Sequence, residues 1–92
     1  MAQVQVTQHL KSLFPQLGAA PLSLEVATVA ELVAELERRQ PGIAFYICDE
    51  RGRLRRHVNI FVDELSVGDR AKLGDPVGRD SRVFIMQALS GG

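Results

Sequence analysis

Thr28-Val29-Ala30-Glu31-Leu32-Val33-Ala34-Glu35-Leu36-Glu37-Arg38-Arg39-Gln40-Pro41-Gly42 is the stretch that decides how this chain folds. Thr28 and Glu31 stand in the capping-box pattern, in which a hydroxyl and a carboxylate satisfy the free backbone donors at a helix start. Val29, Leu32, Val33 and Leu36 recur at i, i+3, i+4 and i+7, so one side of the helix is apolar. Glu35 and Arg39 lie four apart on the wet side. Arg38 and Arg39 suit the negative end of the helix dipole, and Pro41-Gly42 stops the helix. A helix with one apolar side needs a second layer to bury it against.

Working outward, that layer is a sheet. Upstream, Val4 and Val6 alternate with Gln3, Gln5 and Thr7, which predicts a half-buried strand. Phe14-Pro15 to Pro21 reads as a connection. Leu22, Leu24 and Val26 then alternate with Ser23 and Glu25, a second strand placed to pair with the first as a long-looped hairpin. Downstream, Ile43 to Cys48 is apolar without a clear period and reads as a short strand or an irregular packed segment. Asp49-Glu50-Arg51-Gly52 reads as a turn. Val58, Ile60 and Val62 mark a strand with Asn59, Phe61 and Asp63 on its other face, and Asp63-Glu64 begins a turn. Gly68 to Gly78 is a loop anchored by Val67, Leu73 and Val77. Val83 to Leu89 is a last strand, entered through Arg79-Asp80-Ser81. The order strand, strand, helix, strand, loop, strand predicts an α+β fold, a mixed sheet with one main helix packed on one face.

The chain has 92 residues, which suits one domain. Eleven Lys and Arg balance eleven Asp and Glu, so nothing global calls for a nucleic acid or an anionic membrane. No apolar run is long enough to span a membrane, and the N-terminus lacks the pattern of a signal peptide. The cytoplasm is the expected compartment. The single cysteine, Cys48, has no internal disulfide partner, and with no His or motif beside it reads as core filler rather than a sulfur-relay thiol. His9 and His57 are far apart with no ligand spacing around either, so no metal site is expected. There is no phosphate loop, nucleophile elbow or paired-carboxylate pattern. No catalytic residue is expected, and the chain is not expected to be an enzyme by itself.

Two surface features stand out. Alternation along the last strand turns Val83 and Ile85 inward and Phe84 and Met86 outward, and Phe61 faces outward on a neighbouring strand. If these strands pair, the three form an exposed apolar patch of the kind that marks protein contacts. The competing reading is that a loop or a second subunit covers them. Arg51, Arg53, Arg55 and Arg56 form a local basic cluster, read first as a solvated hairpin partly neutralised by Asp49 and Glu50, and second as a contact for an acidic partner or nucleic acid.

Several pieces, in this order, carry a resemblance: the Thr28-Val29 helix start, the Pro41-Gly42 stop, Gly52-Arg53-Leu54-Arg55-Arg56-His57-Val58-Asn59-Ile60-Phe61-Val62, the Asp75-Pro76-Val77 loop, and the ending Ala88-Leu89-Ser90-Gly91-Gly92. Along nearly its whole length the chain resembles the MoaD/ThiS family of sulfur carriers. The stretch from Leu54 to Val62 is most similar to the branch containing the cysteine-synthesis carrier CysO. The resemblance implies a ubiquitin-like β-grasp domain over residues 1–89 and a flexible Ser-Gly-Gly tail over 90–92. It implies that a MoeB/ThiF-type activating enzyme adenylates the Gly92 carboxylate with its own ATP and magnesium. A sulfurtransferase donor then displaces AMP and leaves a thiocarboxylate. It further implies that Phe61, Phe84 and Met86 dock on the activating enzyme, and that the carrier itself binds no cofactor.

Elementary chemistry meets these requirements. A terminal carboxylate, with a pKa of about 3.3–3.7, is anionic at neutral pH and a poor acyl donor until it gains a leaving group. Gly91 and Gly92 lack side chains and can pass close to another backbone. Ser90 to Gly92, extended, reach roughly 10 Å at about 3.3–3.6 Å per residue. With Gly92 last, no trimming is expected before activation. The sulfur acceptor stays open, since relatives serve molybdopterin, thiamine, cysteine, methionine-pathway and tRNA products. A cysteine-synthase-like acceptor and a JAMM-type metallopeptidase are the partners that the CysO-like stretch brings into view. Two other functions stay open beside the carrier: a modifier conjugated through Gly92 to lysines of other proteins, and a non-conjugating β-grasp interaction module. Lys11 and Lys72 are the only lysines, which limits chain building on this protein.

Overall fold

In the computed structural model, which describes residues 1–17 and 22–87, the first strand is β1 (Ala2–Val6), with Val4 and Val6 inward and Gln3 and Gln5 outward. A short helix, α1 (Gln8–Leu13), and a 3-10 turn (Pro15–Leu17) follow, where the sequence suggested no element. Thr7 at the start of α1 makes no side-chain cap, and only Leu10 is buried on it. With neither a cap nor a repeating apolar side, α1 is held by what Leu10 packs against rather than by a local signal. β2 (Leu22–Leu24) returns antiparallel to β1, Leu24 opposite Ala2 and Leu22 opposite Val4, which is the expected hairpin pairing.

The decisive stretch forms α2 (Val29–Arg39). The Thr28 hydroxyl accepts the Glu31 N–H at 3.2 Å, while the Glu31 carboxylate accepts the N–H of Ala27 at 2.9 Å. Glu31 thus reaches one residue further back than a simple capping box requires. Val29, Leu32, Val33 and Leu36 are buried as the period predicted, each contributing roughly 1.5–3 kcal/mol of transfer free energy. On the wet side Glu35 pairs with both Arg38 and Arg39. Their hydrogen bonds, Arg38 first, hold its carboxyl down to about 2.

Ile43 to Cys48 is neither strand nor irregular. It is a helix, α3 (Ile43–Ile47). Gly42 turns the chain into it with φ +105°, a conformation that side chains disfavour. The Glu37 carboxylate, still on α2, accepts the N–H groups of Gly42 (3.0 Å) and Ala44 (2.9 Å) and so caps the new helix. Those same bonds, Ala44 before Gly42, hold the Glu37 carboxyl below its ordinary range.

β3 (Val58–Val62) is joined to a two-residue strand, β4 (Leu65–Ser66), by Asp63 and Glu64. Both turn residues have positive φ, 51° and 73°, which suits the right-handed twist of a two-residue hairpin. The turn was legible beforehand; the strand after it was not. Val67, Leu73 and Val77 anchor the following loop, all buried. β5 (Arg82–Gln87) lies in the centre, parallel to β1 and antiparallel to β3, and the described sheet has the order β2-β1-β5-β3-β4. Val4, Ile60, Val83 and Ile85 share one buried core with the apolar stripe of α2. The predicted last strand is seen as far as Gln87; Ala88 and Leu89 lie outside the described residues.

Candidate functional site: the open sheet face and the end of its central strand

The outward residues of the three middle strands make one surface. Phe84 on β5 stands opposite Phe61 on β3 and Gln5 on β1, and Met86 stands opposite Asn59. Phe84 and Met86 are each 37% exposed, values that rule out burial by the rest of the described chain; Phe61 is half-buried. The cross-strand register therefore brings Phe61 and Phe84 together, and Met86 extends the apolar stripe two residues further along β5. A groove of about 490 Å³ opens beside them, lined by Gln3, Gln5, Phe61, Glu64, Arg82 and Phe84.

Both described ends of β5 are tied down by polar groups. At its start the Asp63 carboxylate accepts the N–H of Arg82 (2.9 Å) and the hydroxyl of Ser81 (2.9 Å), and the Ser81 hydroxyl in turn accepts the N–H of Gly78 (2.8 Å). The Arg82 N–H, with help from Ser81, holds the Asp63 carboxyl below its ordinary range. At the other end Gln87 Nε2 donates to Tyr46 Oη at 3.0 Å, and the same oxygen lies 3.1 Å from His9 Nε2. Three elements, α1, α3 and β5, meet at this phenol. Gln87 Oε1, on the same amide, and Thr7 Oγ1 are buried without a hydrogen-bond partner among the described residues. No local pattern announces this cluster, because Tyr46 and Gln87 are 41 residues apart. Sequence reasoning missed Tyr46 and Gln87 for that reason.

Gly92, Gly91 and Ser90 lie outside the described residues, as does the proposed boundary between residues 89 and 90. β5 is described as far as Gln87, next to Met86 at one end of the apolar stripe.

Cys48 is buried and bridges to Leu54. Burial, with the nearby Asp49 charge, pushes its thiol pKa up, so it stays a neutral thiol rather than a nucleophilic thiolate. Among the described residues, no three His, Cys, Asp or Glu side chains gather as a metal site would need. No described helix is long and apolar enough to cross a membrane.

With this geometry in place, comparison with known proteins is informative. The family model described as "ThiS family" matches residues 4–92. Among solved structures, a chain of the Amycolatopsis orientalis BexX/CysO complex superposes with a TM-score of 0.84 at 25% identity, covering 100% of both chains. Mycobacterium tuberculosis CysO superposes with a TM-score of 0.82 at 24% identity, over 97% of this chain and 100% of that one. The small archaeal modifier protein 1 from Methanosarcina acetivorans gives 0.77 at 18% identity, over 99% and 95%. The last two speak to the fold, which is the ubiquitin-like β-grasp. No curated protein matches the sequence.

Proposed function

The chain belongs to the ThiS family of ubiquitin-like sulfur carriers, and we propose that it carries sulfur as a thiocarboxylate on Gly92. Members of this family are small protein carriers and not catalysts, so the chemistry is done by partners. In the proposed cycle an activating enzyme of the MoeB/ThiF type, with its own ATP and magnesium, joins the Gly92 carboxylate to AMP and releases pyrophosphate. Bisulfide from a sulfur donor then attacks the acyl carbon, the carbon–oxygen bond to AMP breaks, AMP leaves, and after loss of the proton the thiocarboxylate remains for a sulfur-accepting enzyme.

The observation that carries this reading is the direction of the apolar stripe. Phe61, Phe84 and Met86 run along the uncovered side of the sheet towards the end of β5, and the family match runs on through Gly92. A partner seated on that stripe would lie against the end of β5 that leads in sequence to Gly92. The Amycolatopsis CysO was solved together with BexX, which supports a carrier that works by docking. The activated carboxylate also suits transfer to a lysine of another protein; one of the similar structures bears the name of a small archaeal modifier protein, and the same experiment separates the two.

The full chain, its host's activating enzyme, ATP, magnesium and a sulfur donor are incubated together and the intact mass is read. A mass gain equal to exchange of one oxygen for one sulfur, absent when Gly91 and Gly92 are deleted, is the expected result. Lysine-linked Gly92 on other proteins, without the thiocarboxylate, overturns it in favour of the modifier.

A further inference from the structure

Val58 at the start of β3 stands opposite Gln87 near the end of β5. The turn before Val58 is closed by its N–H donating to the Arg55 carbonyl at 3.0 Å, and the tip of that turn is Arg56-His57, both exposed. This turn therefore stands beside Gln87, the last described residue of β5. A cleft of about 660 Å³ opens at the same place, lined by Asp49, Arg53, Arg55, Arg56, His57 and Arg70 among others.

The charges in this cleft are unequal in availability. Asp49 is engaged: it accepts the N–H groups of Arg51 (2.9 Å) and Arg53 (3.0 Å) and pairs with Arg53 Nε at 3.2 Å. Arg70 is a strut. It donates to Asn59 Oδ1 (2.9 Å) and to the carbonyls of Arg55 (2.6 Å) and Val58 (2.9 Å), which locks the turn against β3. Arg55 is held on one edge only, by Nε donating to the Phe45 carbonyl at 2.9 Å with its guanidinium 4.9 Å from the Phe45 ring centre. Among the described residues, its two terminal nitrogens have no partner, and the Arg56 side chain has none.

A planar guanidinium fixed along one edge presents a fork that matches a carboxylate in a two-point contact. Because the turn and the fork are already ordered, little side-chain freedom is lost when it binds. The chain as a whole is neutral, so the excess is local. A local excess fits a compact group of carboxylates better than a nucleic acid, whose affinity accumulates over many phosphates.

We propose that the Arg55-Arg56-His57 turn is a second docking point, separate from the apolar stripe, for a cluster of Asp and Glu side chains at the rim of the partner cleft that receives the tail. This rests on the activation reading above. Docked there, the turn holds the partner at the Gln87 end of β5 from the β3 side, while Phe61, Phe84 and Met86 hold the sheet face.

The test has two arms. In the first, ATP–pyrophosphate exchange by the host's activating enzyme is measured against full-chain concentration, at low and moderate salt, for the wild type, Arg56→Glu and Arg79→Glu. Arg79 is exposed at the opposite end of the sheet, near Met1 and Val77, so it controls for net charge. Arg56→Glu should raise KM by about tenfold with kcat within about twofold and should remove most of the salt dependence, while Arg79→Glu should not. Equal effects of the two variants overturn the proposal. In the second arm, a hexaglutamate peptide and a single-stranded oligonucleotide are titrated into the labelled full chain and amide shifts are followed. Shifts centred on residues 53–57 and 70 with the peptide, lost in Arg56→Glu, support the proposal. Tighter binding of the oligonucleotide there, or no peptide response, overturns it. If wild-type exchange is absent, the activation reading fails and the peptide arm alone decides whether the turn binds carboxylates.

Discussion

At the scale of single residues, the described site has two kinds of member, and they should behave differently on substitution. Phe84 lies outside the core and packs across from Phe61, so Phe84→Glu should cost no more than about 1 kcal/mol of stability in urea unfolding. The same change puts a charge in the middle of the apolar stripe, and central apolar contacts cost about 2 kcal/mol or more when lost. KM for adenylation should therefore rise by more than about tenfold; an unchanged KM would show that the stripe does not dock. Tyr46 is the reverse case. Its hydroxyl joins His9 and Gln87 away from the stripe. Tyr46→Phe should cost about 1–2 kcal/mol of stability, since the Gln87 amide then loses its partner in a part-buried place. Thermal melts check this directly, and a melt identical to wild type would mean that water replaces the phenol without loss.

At the scale of elements, the junction between α2 and α3 shows how one residue redirects a segment. An apolar run such as Ile43-Ala44-Phe45-Tyr46-Ile47 is ambiguous by itself, because short strands and short helices bury such runs alike. Gly42 and Glu37 resolve it, one by its left-handed backbone and the other by capping across the turn. Gly42→Ala tests the backbone half. An added Cβ meets only Phe14 Cε1 at 3.9 Å, an ordinary contact, so the cost comes from φ rather than from a clash. About 1–2 kcal/mol is expected, read as a lowered urea midpoint at unchanged slope. A variant as stable as wild type would mean that the chain relaxes to a different α3 entry.

At the scale of the whole molecule, two carboxylates brace the loop after β4 and make stability depend on acid. Asp75 accepts the N–H groups of Gly68 (3.0 Å) and Asp69 (2.9 Å), and Asp69 accepts those of Lys72 (2.9 Å) and Gly74 (3.2 Å). These backbone donors, Gly68 first for Asp75 and Lys72 first for Asp69, hold both carboxyls below their ordinary range. The folded pKa values are lower than the unfolded ones, so in acid the unfolded chain binds more protons. Their contribution is complete above the unfolded value of about 3.9 and is lost as pH falls through the folded values. Melting temperature should thus fall below about pH 4. Asp75→Asn, which has no charge to lose, should be less stable at neutral pH and fall less steeply in acid. Parallel slopes for the two proteins would rule Asp75 out of the acid response.

Much of this was readable along the chain, and the division has a physical basis. The helix Val29–Arg39, the strands bearing Val4, Leu24, Ile60 and Ile85, and the outward set of Phe61, Phe84 and Met86 all follow from periods that local geometry imposes, 3.6 residues for a helix and 2 for a strand. The sequence by itself therefore determined the two-layer architecture, the capped helix and which aromatic side chains turn away from the core. It did not determine α1, α3 or β4. Each is six residues or fewer, too short for a period to show, and each depends on groups outside itself: the core that takes Leu10, Glu37 across a turn, and Phe61 and Val62 across a hairpin. Nor did it determine that Phe61 stands opposite Phe84, that Tyr46 meets Gln87, or that Arg56 stands beside the end of β5. Register and three-dimensional adjacency arise only when strands far apart in sequence pair, and that pairing sets the apolar stripe on the open sheet face and the basic turn beside Gln87.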